Sequence, residues 1–361
     1  MSLNVIRRKS RIVNIGKIMI GGDNPIAIQS MTNTDTRNHA ATIEQIKALE
    51  AAGCDVVRIT VPDMESVETI KKIKASGIII PIVADIHFDY NIALASIAAG
   101  VDKVRINPGN IGSDDKVKAV AEAASAAGVP IRIGVNSGSL EKNILQKYGS
   151  PTAEALAESA IYHAELLTRH AFEDIVISIK SSTVKEMIEA NRILAKECDF
   201  PLHIGVTEAG TKLQGTIKNA IGMGALLCDG IGDTVRVSLT ADPVEEIYAA
   251  KEILKACGCG KDGMTIVSCP TCGRTKIDLI GIAERFEEVA KKEGITNLPI
   301  KVAVMGCVVN GPGEAREADI GIAGGDGEAV LFKRGKIVKK ISEDKVIETL
   351  IDEIKMMEKE S

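Results

Sequence analysis

The stretch IPIVADIH (80–87) and, one helical segment later, the stretch KVRINP (103–108) form a strand–helix–strand unit that repeats along most of the chain. Each strand is short and rich in β-branched residues, and the segments between the strands show helical periodicity. Eight such strands follow one another, at IAIQSM (26–31), VVRITV (56–61), IPIVADIH (80–87), KVRINP (103–108), PIRIGVN (130–136), DIVISIK (174–180), PLHIGVT (201–207) and TVRVSL (234–239). Eight alternating strands and helices predict a closed parallel (β/α)8 barrel, the TIM-barrel fold.

Helix starts between these strands carry recognisable capping residues. Thr183 and Glu186 have the spacing of a capping box, and Asp242 followed by Pro243 fits an N-cap and a first helical position. The alternative fold is an open doubly wound sheet, but no glycine-rich phosphate loop follows the first strand. We expect residues 5–22 to form a hairpin that closes the bottom of the barrel.

Composition excludes several classes of partner. The net charge is −5, aromatic residues make up 2% of the chain and Trp is absent, which argues against nucleic-acid binding. No apolar run approaches the length of a membrane span, and no apolar segment of a signal peptide follows the basic N-terminus. We therefore predict a cytoplasmic protein that binds neither nucleic acid nor membrane, and whose eight cysteines are mostly reduced.

Polar residues recur with a period of two inside the predicted strands, so the members of each pair share one face of their strand. The pairs are Arg58 and Thr60, Asp85 and His87, Arg105 and Asn107, Arg132 and Asn136, Ser178 and Lys180, His203 and Thr207, and Arg236 and Ser238. They cluster late in their strands, near the end of a barrel where active sites form. This pattern predicts a polar site at the C-terminal mouth of the barrel.

Four arginines and one lysine converge in this predicted site. At a separation of ~8 Å and an effective dielectric constant near 20, each like-charged pair repels by about 2 kcal/mol. Such a site is poorly stable unless it holds an anion, and arginine side chains match the geometry of phosphate. We infer a small, multiply charged substrate, most simply a diphosphate; the alternative is that some arginines face the helical layer and pair with acidic residues there.

Glu208 follows the seventh strand and is the best candidate in the barrel for a general acid or base. The alternative is that it forms a salt bridge with Lys180 or with an arginine. Asp85 and His87 could bind a metal ion, but an Asp-x-His pair on one strand is more simply a hydrogen-bonded pair. We predict that hydrogen-bonded pair.

The pattern changes after Cys257. Residues 1–258 are predicted to form the barrel, and residues 259–361 a smaller α+β domain. Within this domain we predict a helix from about residue 278 to residue 293, the strand IKVAVM (300–305), short strands with glycine turns, and a final helix. Val346, Leu350 and Ile354 lie at helical spacing on that last helix, which predicts a buried face.

The second domain carries a C-x-x-C pair, Cys269 and Cys272, and one further cysteine, Cys307, in a loop after a strand. One such pair is compatible with zinc, an iron–sulfur cluster or dithiol redox chemistry. A zinc ribbon would need a second C-x-x-C, and none is present. Cys257 and Cys259 are separated by one residue, which is poor spacing for a chelate, and we interpret them as linker residues.

The motifs SCPTCGR (268–274) and GCVVNGPGE (306–314) together resemble the 4-hydroxy-3-methylbut-2-enyl diphosphate synthase family of the non-mevalonate isoprenoid pathway. The barrel segments VRINPGN (104–110), RIGVNSGS (132–139) and GVTEAG (205–210) are similar to that family as well, so the resemblance covers essentially the whole chain. It implies a 4Fe–4S cluster held by Cys269, Cys272, Cys307 and Glu314. A carboxylate binds iron less tightly than a thiolate does, so it can yield one iron to substrate oxygen.

The resemblance also implies a reaction, the reductive ring opening of 2-C-methyl-D-erythritol 2,4-cyclodiphosphate to the linear allylic diphosphate. Glu208 would then handle the proton of a substrate hydroxyl. The diphosphate would be held by Arg58, Arg105, Arg132, Asn136, Lys180, Arg236 and Ser238.

Two kinds of protein partner follow from the resemblance. Electrons would come from flavodoxin or ferredoxin. The chain would form a head-to-tail homodimer, because the last barrel helix ends at the bottom of the barrel and the linker after it is short. The alternatives are a zinc-stabilised phosphate-binding barrel without catalysis, and a pterin- or phosphosugar-binding barrel lyase with a structural metal domain.

Overall fold

The computed structural model describes residues 5–260, 263–308 and 316–360. The chain divides into two compact units, Met1–Gly260 and Lys261–Ser361. The first is a barrel and the second a smaller mixed domain, so the predicted fold class is confirmed. None of the described helices has both the length and the apolar character needed to cross a membrane.

The first unit is built on eight parallel strands. They are β3 (Ala27–Met31), β4 (Val56–Thr60), β5 (Ile82–Asp85), β6 (Lys103–Ile106), β7 (Ile131–Asn136), β8 (Ile175–Lys180), β9 (His203–Ile204) and β10 (Thr234–Val235). Neighbours pair in chain order from β3 to β8, β10 pairs with β3, and β9 pairs with β10. A parallel bridge between Ile177 and Leu202 brings the two ends of this sheet together. The predicted (β/α)8 barrel is therefore confirmed.

The last two barrel strands are shorter than predicted, with two residues each. A Cβ atom at Gly205 would lie 2.2 Å from the backbone oxygen of Arg236. The two backbone segments therefore approach each other more closely here than a side chain at residue 205 would allow. The regular ladder ends at this approach, which the apolar pattern of the sequence does not reveal.

Helices cover the outside of the barrel. They are α1 (His39–Ala51), α2 (Met64–Ala75), α3 (Tyr90–Ala98), α4 (Asp114–Ala127), α5 (Lys142–Tyr148), α6 (Ala153–Thr168), α7 (Val184–Glu197), α8 (Lys212–Cys228) and α9 (Pro243–Ala256). Asp242 caps α9 by accepting a hydrogen bond from the backbone N–H of Val244, as predicted. Thr183 precedes α7 but makes no side-chain cap bond, and Glu186 accepts instead from the hydroxyl of Ser181 at 3.1 Å. The predicted capping box at α7 is therefore wrong.

A hairpin seals the N-terminal end of the barrel. Its strands are β1 (Val13–Ile15) and β2 (Ile18–Ile20), and they pair antiparallel. Val13, Ile15 and Ile20 are buried in one apolar cluster with the first inward residues of four barrel strands, which are Ala27, Val56, Val83 and Val176. The predicted closing hairpin is confirmed, and burial of these side chains provides the driving force.

The second unit contains a five-stranded sheet. Its strands are β11 (Thr265–Ser268), β12 (Lys301–Met305), β13 (Ile320–Gly324), β14 (Glu328–Lys333) and β15 (Lys336–Ser342), paired in that order. The first three are parallel, and β14 and β15 run antiparallel to their neighbours. Helices α10 (Leu279–Lys292) and α11 (Val346–Glu360) bury Phe286, Leu350 and Ile354 in the core of this unit. The predicted helices and the buried face of the last helix are confirmed.

Candidate functional site

A cavity of about 150 Å³ opens at the C-terminal ends of the barrel strands. Eleven of the fourteen polar residues predicted on the inner faces of the strands line it, because alternate residues of a barrel strand point inward. The other three, Thr60, Asn107 and His203, do not line it. The lining residues are Arg58, Asp85, His87, Arg105, Arg132, Gly134, Asn136, Ser178, Lys180, Thr207, Arg236 and Ser238. All seven residues predicted to bind substrate are among them.

Asp85 is the central carboxylate of this cavity. Its two oxygens lie 3.0 Å from Nη1 of Arg105 and 3.6 Å from Nε of Arg58. Burial alone would raise the pKa of Asp85, but these two guanidinium groups hold it below the usual value. The predicted hydrogen-bonded pair of Asp85 with His87 is therefore wrong, because the arginines take both carboxylate oxygens.

The other cations of the cavity are poorly compensated. Arg132 is 1% exposed and Lys180 is 7% exposed, and within the described chain Nε and Nη1 of Arg132 and Nζ of Lys180 have no hydrogen-bond partner. Burial, followed by repulsion from neighbouring arginines, lowers the pKa of both side chains well below their usual values. Burial likewise lowers the pKa of Arg58 to about 10. These cations share one small cavity with Asp85, so the site is preorganised for an anion.

Arg236 is held by a residue that the sequence does not reveal. Its Nε lies 3.6 Å from Oε2 of Glu246, which comes from α9 and is buried. The same Oε2 accepts from the hydroxyl of Ser30 at 2.9 Å, and Oε1 accepts from the backbone N–H of Leu239 at 3.1 Å. Both oxygens of Glu246 are thus fixed by donors, which orients Arg236 towards the cavity.

Glu208 lies beside the cavity rather than in its lining. It is exposed, and it forms no ion pair with any residue that the structure describes, so the alternative interpretation as a salt-bridge partner of Lys180 is wrong. Its backbone adopts φ = 51°, a left-handed conformation that a glutamate rarely takes. Strain of this kind is common at functional positions, where the surrounding structure has to maintain it.

The cysteines predicted as ligands lie at one edge of the second sheet. Strands β11 and β12 are parallel, with Ser268 opposite Val304, so Cys269 and Cys307 follow strand ends on the same side. The backbone N–H of Gly306 donates to Sγ of Cys269 at 3.3 Å. Cys272 is exposed, and hydrogen bonds from the backbone and side chain of Arg274 lower its pKa. A thiolate-rich edge with backbone donors to sulfur suits an iron–sulfur cluster.

Glu314, the fourth predicted ligand, lies outside the described residues. Among residues 5–260, 263–308 and 316–360, no three His, Cys, Asp or Glu side chains are grouped closely enough to bind a metal ion. The donor types and the strand positions of the three cysteines fit the cluster, while the complete ligand set is not defined by the described part of the chain.

Comparison with known proteins identifies the family. Residues 10–251 match the family model described as the GcpE TIM-barrel domain, and residues 265–356 match the GcpE protein C-terminal domain. A relative from Fusobacterium nucleatum is 58% identical over 345 residues, 96% of each chain, and bears the name 4-hydroxy-3-methylbut-2-en-1-yl diphosphate synthase (flavodoxin). The chain belongs to the 4-hydroxy-3-methylbut-2-en-1-yl diphosphate synthase family. The predicted family is therefore confirmed.

Further relatives carry the same name as the Fusobacterium protein. One from Clostridium acetobutylicum is 57% identical over 351 residues, 97% of this chain and 99% of its own. One from Clostridium perfringens is 59% identical over 345 residues, 96% of this chain and 98% of its own. Both domains of the synthase family are thus represented along nearly the full length, and the interpretation as a barrel without catalysis is wrong.

Three buried polar residues near the cavity were not predicted from the sequence. Glu246 lies on a helix, where an acidic residue in the first turn is ordinary. Gln29 and Lys103 are buried inside the barrel at positions in phase with Met31 and Arg105. The sequence shows that they lie two residues before Met31 and Arg105, on the same strand faces. They lie at the start of their strands, however, away from the mouth.

Proposed function

We propose that this chain catalyses the reductive ring opening of 2-C-methyl-D-erythritol 2,4-cyclodiphosphate to 4-hydroxy-3-methylbut-2-enyl diphosphate. Two electrons enter, a ring C–O bond breaks, and a hydroxyl leaves as water. The observation that carries the proposal is a cavity of five cations that Asp85 and Glu246 compensate only in part, in a chain that is 57–59% identical to synthases of this name over nearly its full length.

The barrel residues bind and orient the diphosphate in this proposal. Arg58, Arg105, Arg132, Lys180 and Arg236 offer charge, and Asn136 and Ser238 offer neutral hydrogen bonds. Asp85 and Glu246 keep three of the arginines in place through the contacts described above. Because these side chains are fixed before substrate arrives, little ordering is needed when it binds.

Glu208 is the proposed acid. We expect it to protonate the oxygen of the substrate hydroxyl that leaves as water, from its strained position beside the mouth. An exposed carboxylate exchanges protons readily with solvent, so it can be recharged after each turnover.

We further propose that Cys269, Cys272, Cys307 and Glu314 hold a 4Fe–4S cluster. A cluster bound to this donor set supplies one-electron transfer and a Lewis-acidic iron. The relatives are named after flavodoxin, which supports flavodoxin as the electron donor here. All eight cysteines are free thiols, which suits a reducing compartment such as the cytoplasm.

A head-to-tail homodimer completes the proposal. In a parallel barrel each helix returns the chain to the end opposite the mouth, and α9 is the last barrel helix before the second unit begins. The second unit of one copy would then serve the barrel of its partner. A fully active enzyme that sediments strictly as a monomer would refute this arrangement.

The test is an anaerobic visible spectrum with iron and sulfide analysis, on the wild type and on Glu314→Ala side by side. We expect a brown protein with about four irons per chain and a changed spectrum in the variant, together with turnover of the cyclic diphosphate by reduced flavodoxin. Colourless protein that contains about one zinc per chain would refute the cluster and the reductive reaction with it.

A further inference from the structure

Beneath the substrate cavity lies a second set of polar side chains that the proposed reaction does not use. Gln29, Lys103 and His203, here called the floor cluster, are 1%, 0% and 0% exposed. They occupy inward positions of β3, β6 and β9, two residues before Met31, Arg105 and Gly205. None of the three lines the cavity above. They therefore lie deeper in the barrel than the residues that follow them on the same strand faces, and nearer to the apolar hairpin.

The polar atoms of the floor cluster lack partners within the described part of the chain. Nζ of Lys103, Nε2 of His203 and both amide atoms of the Gln29 side chain make no hydrogen bond. Nδ1 of His203 does have a partner, because it lies 2.8 Å from the hydroxyl of Thr234. The Thr234 hydroxyl can donate to Nδ1, which leaves Nε2 to carry the proton. Several buried N–H donors without acceptors inside one barrel are unusual in a native protein.

The charge of this region is also unbalanced. The charged groups that act most strongly on Lys103 are Arg132 and Arg58, both positive. His203 is surrounded by Arg132, Lys180 and Lys103. Six cationic side chains, Arg58, Lys103, Arg105, Arg132, Lys180 and Arg236, face two carboxylates, Asp85 and Glu246.

A cyclic diphosphate carries two negative charges, which offsets half of the formal surplus of four. Buried water could satisfy the donors of the floor cluster, but an anion would also favour the charged forms of Lys103 and Lys180, whose pKa values burial lowers. A diphosphate held by the mouth cations cannot also fill the deeper layer. These two arguments favour a second, smaller anion below the substrate.

We propose that the floor cluster is a binding site for a small inorganic anion of the halide class, held by Nζ of Lys103, Nε2 of His203 and the side-chain amide of Gln29. The anion lies close to Arg132, the charged group that acts most strongly on both Lys103 and His203, and it reduces the repulsion among the cations that bind substrate. The floor cluster consists of barrel residues only. The proposal takes nothing from the proposed function except the charge of the substrate.

The direct test is anomalous diffraction from crystals of the cluster-loaded protein in bromide, with and without inorganic diphosphate. We expect a bromide peak within hydrogen-bonding distance of Lys103 and His203 that persists when diphosphate occupies the mouth. A bromide peak beside Arg58 or Arg105 that diphosphate displaces, with none at the floor, would overturn the proposal. So would an ordered water at the floor in both crystals.

Lys103→Met provides a second, independent measurement. Methionine replaces a buried charge by an apolar chain of similar length, so the variant is expected to fold. With diphosphate present and ionic strength constant, exchanging gluconate for 0.1 M bromide should raise the Tm of the wild type by roughly 3 °C. The Tm of Lys103→Met should not respond.

The matched control is Lys71→Met, which changes an exposed lysine paired with Glu68. It should respond to bromide as the wild type does. An equal response in Lys103→Met would show that bromide acts elsewhere and would refute the floor site. Because neither readout depends on turnover, failure of the floor site is distinguishable from failure of the proposed reaction.

Discussion

Glu246 illustrates how a residue outside the strands shapes the site. It approaches the barrel interior from α9 and holds Arg236, Ser30 and the backbone of Leu239 at once. A buried carboxylate that accepts two hydrogen bonds and forms one ion pair is a rigid support, and its loss would leave Arg236 without its ion-pair partner. The orientation of Arg236 therefore depends on a helix, although the residue itself belongs to a strand.

We predict that Glu246→Gln raises the KM for the cyclic diphosphate about tenfold, with a smaller effect on kcat. The amide keeps the size of the side chain but removes the charge that pairs with Arg236. Steady-state kinetics with reduced flavodoxin measures both constants. The control is Glu245→Gln, because Glu245 pairs with Lys212 on the outer surface. Equal kinetic changes in the two variants would contradict a specific role for Glu246.

The environment of Lys180 predicts that substrate binding is coupled to proton uptake by its side chain. Burial, followed by repulsion from Arg236 and Arg58, lowers the pKa of Lys180 well below its usual value. A bound dianion raises that pKa again, and binding therefore takes up protons. The affinity for the dianionic substrate must therefore fall as the pH rises from the pKa of Lys180 in the free enzyme towards its pKa in the complex.

Calorimetric titration at one pH, in two buffers with different ionisation enthalpies, measures this uptake. We expect the binding enthalpy of the wild type to differ between the buffers. Lys180→Met should bind more weakly and lose most of the difference. An enthalpy that is independent of buffer in the wild type would show that Lys180 is already protonated before substrate binds.

At the scale of elements, the contact between β9 and β10 depends on one glycine. A Cβ at Gly205 would meet the backbone oxygen of Arg236 at 2.2 Å and Nζ of Lys180 at 3.1 Å. Gly205→Ala must therefore separate the two strands and displace two cations of the mouth. We predict a loss of about 2–4 kcal/mol in unfolding free energy and a marked rise in KM.

Chemical denaturation and kinetics on the same sample test the effect of Gly205→Ala. Gly224→Ala on α8 is the control, since its Cβ would meet only Sγ of Cys257 at 3.7 Å, an ordinary contact. It should leave KM unchanged and slightly stabilise the helix. Normal stability in Gly205→Ala would mean that the strands can separate without cost.

The strands show what a sequence can and cannot predict. Six of the eight predicted barrel strands match within a few residues, because an apolar outer face and a polar inner face impose a period of two. The cavity residues followed from the same period. Strands β9 and β10 were predicted too long, because the close approach at Gly205 is a contact distant in sequence.

Contacts between residues of different strands and helices could not be predicted from the sequence for the same reason. Glu246 is adjacent to Glu245 in sequence, and only the packing of α9 on the barrel separates a buried support from a surface ion pair. Asp85 was assigned to its strand neighbour His87, while its actual partners come from two other strands. Local spacing determines the face of a strand, but not which neighbour satisfies a charge.

At the scale of the whole molecule, the proposed head-to-tail dimer makes a quantitative prediction. Glu208→Gln would inactivate a site through its barrel, and Cys307→Ser would inactivate a site through its cluster. Co-expression of the two variants should restore about a quarter of wild-type activity, because half of the dimers are mixed and each mixed dimer has one intact composite site.

Each variant expressed alone is the control and should stay inactive. Mixing the purified dimers without subunit exchange should restore nothing. Co-expressed protein that sediments as a dimer but remains inactive would show that each chain uses its own second unit, and would refute the composite site.

The apolar hairpin closes the N-terminal end of the barrel, so the C-terminal mouth is the way in for a charged molecule. Val13, Ile15 and Ile20 stop that end with hydrocarbon, so an ion cannot pass through it. Product must therefore leave through the mouth by which substrate enters. An ion that binds the proposed floor site must enter before the substrate, and it cannot leave while substrate or product occupies the mouth. Product is therefore expected to compete with substrate for the empty enzyme, so that accumulated diphosphate slows its own formation.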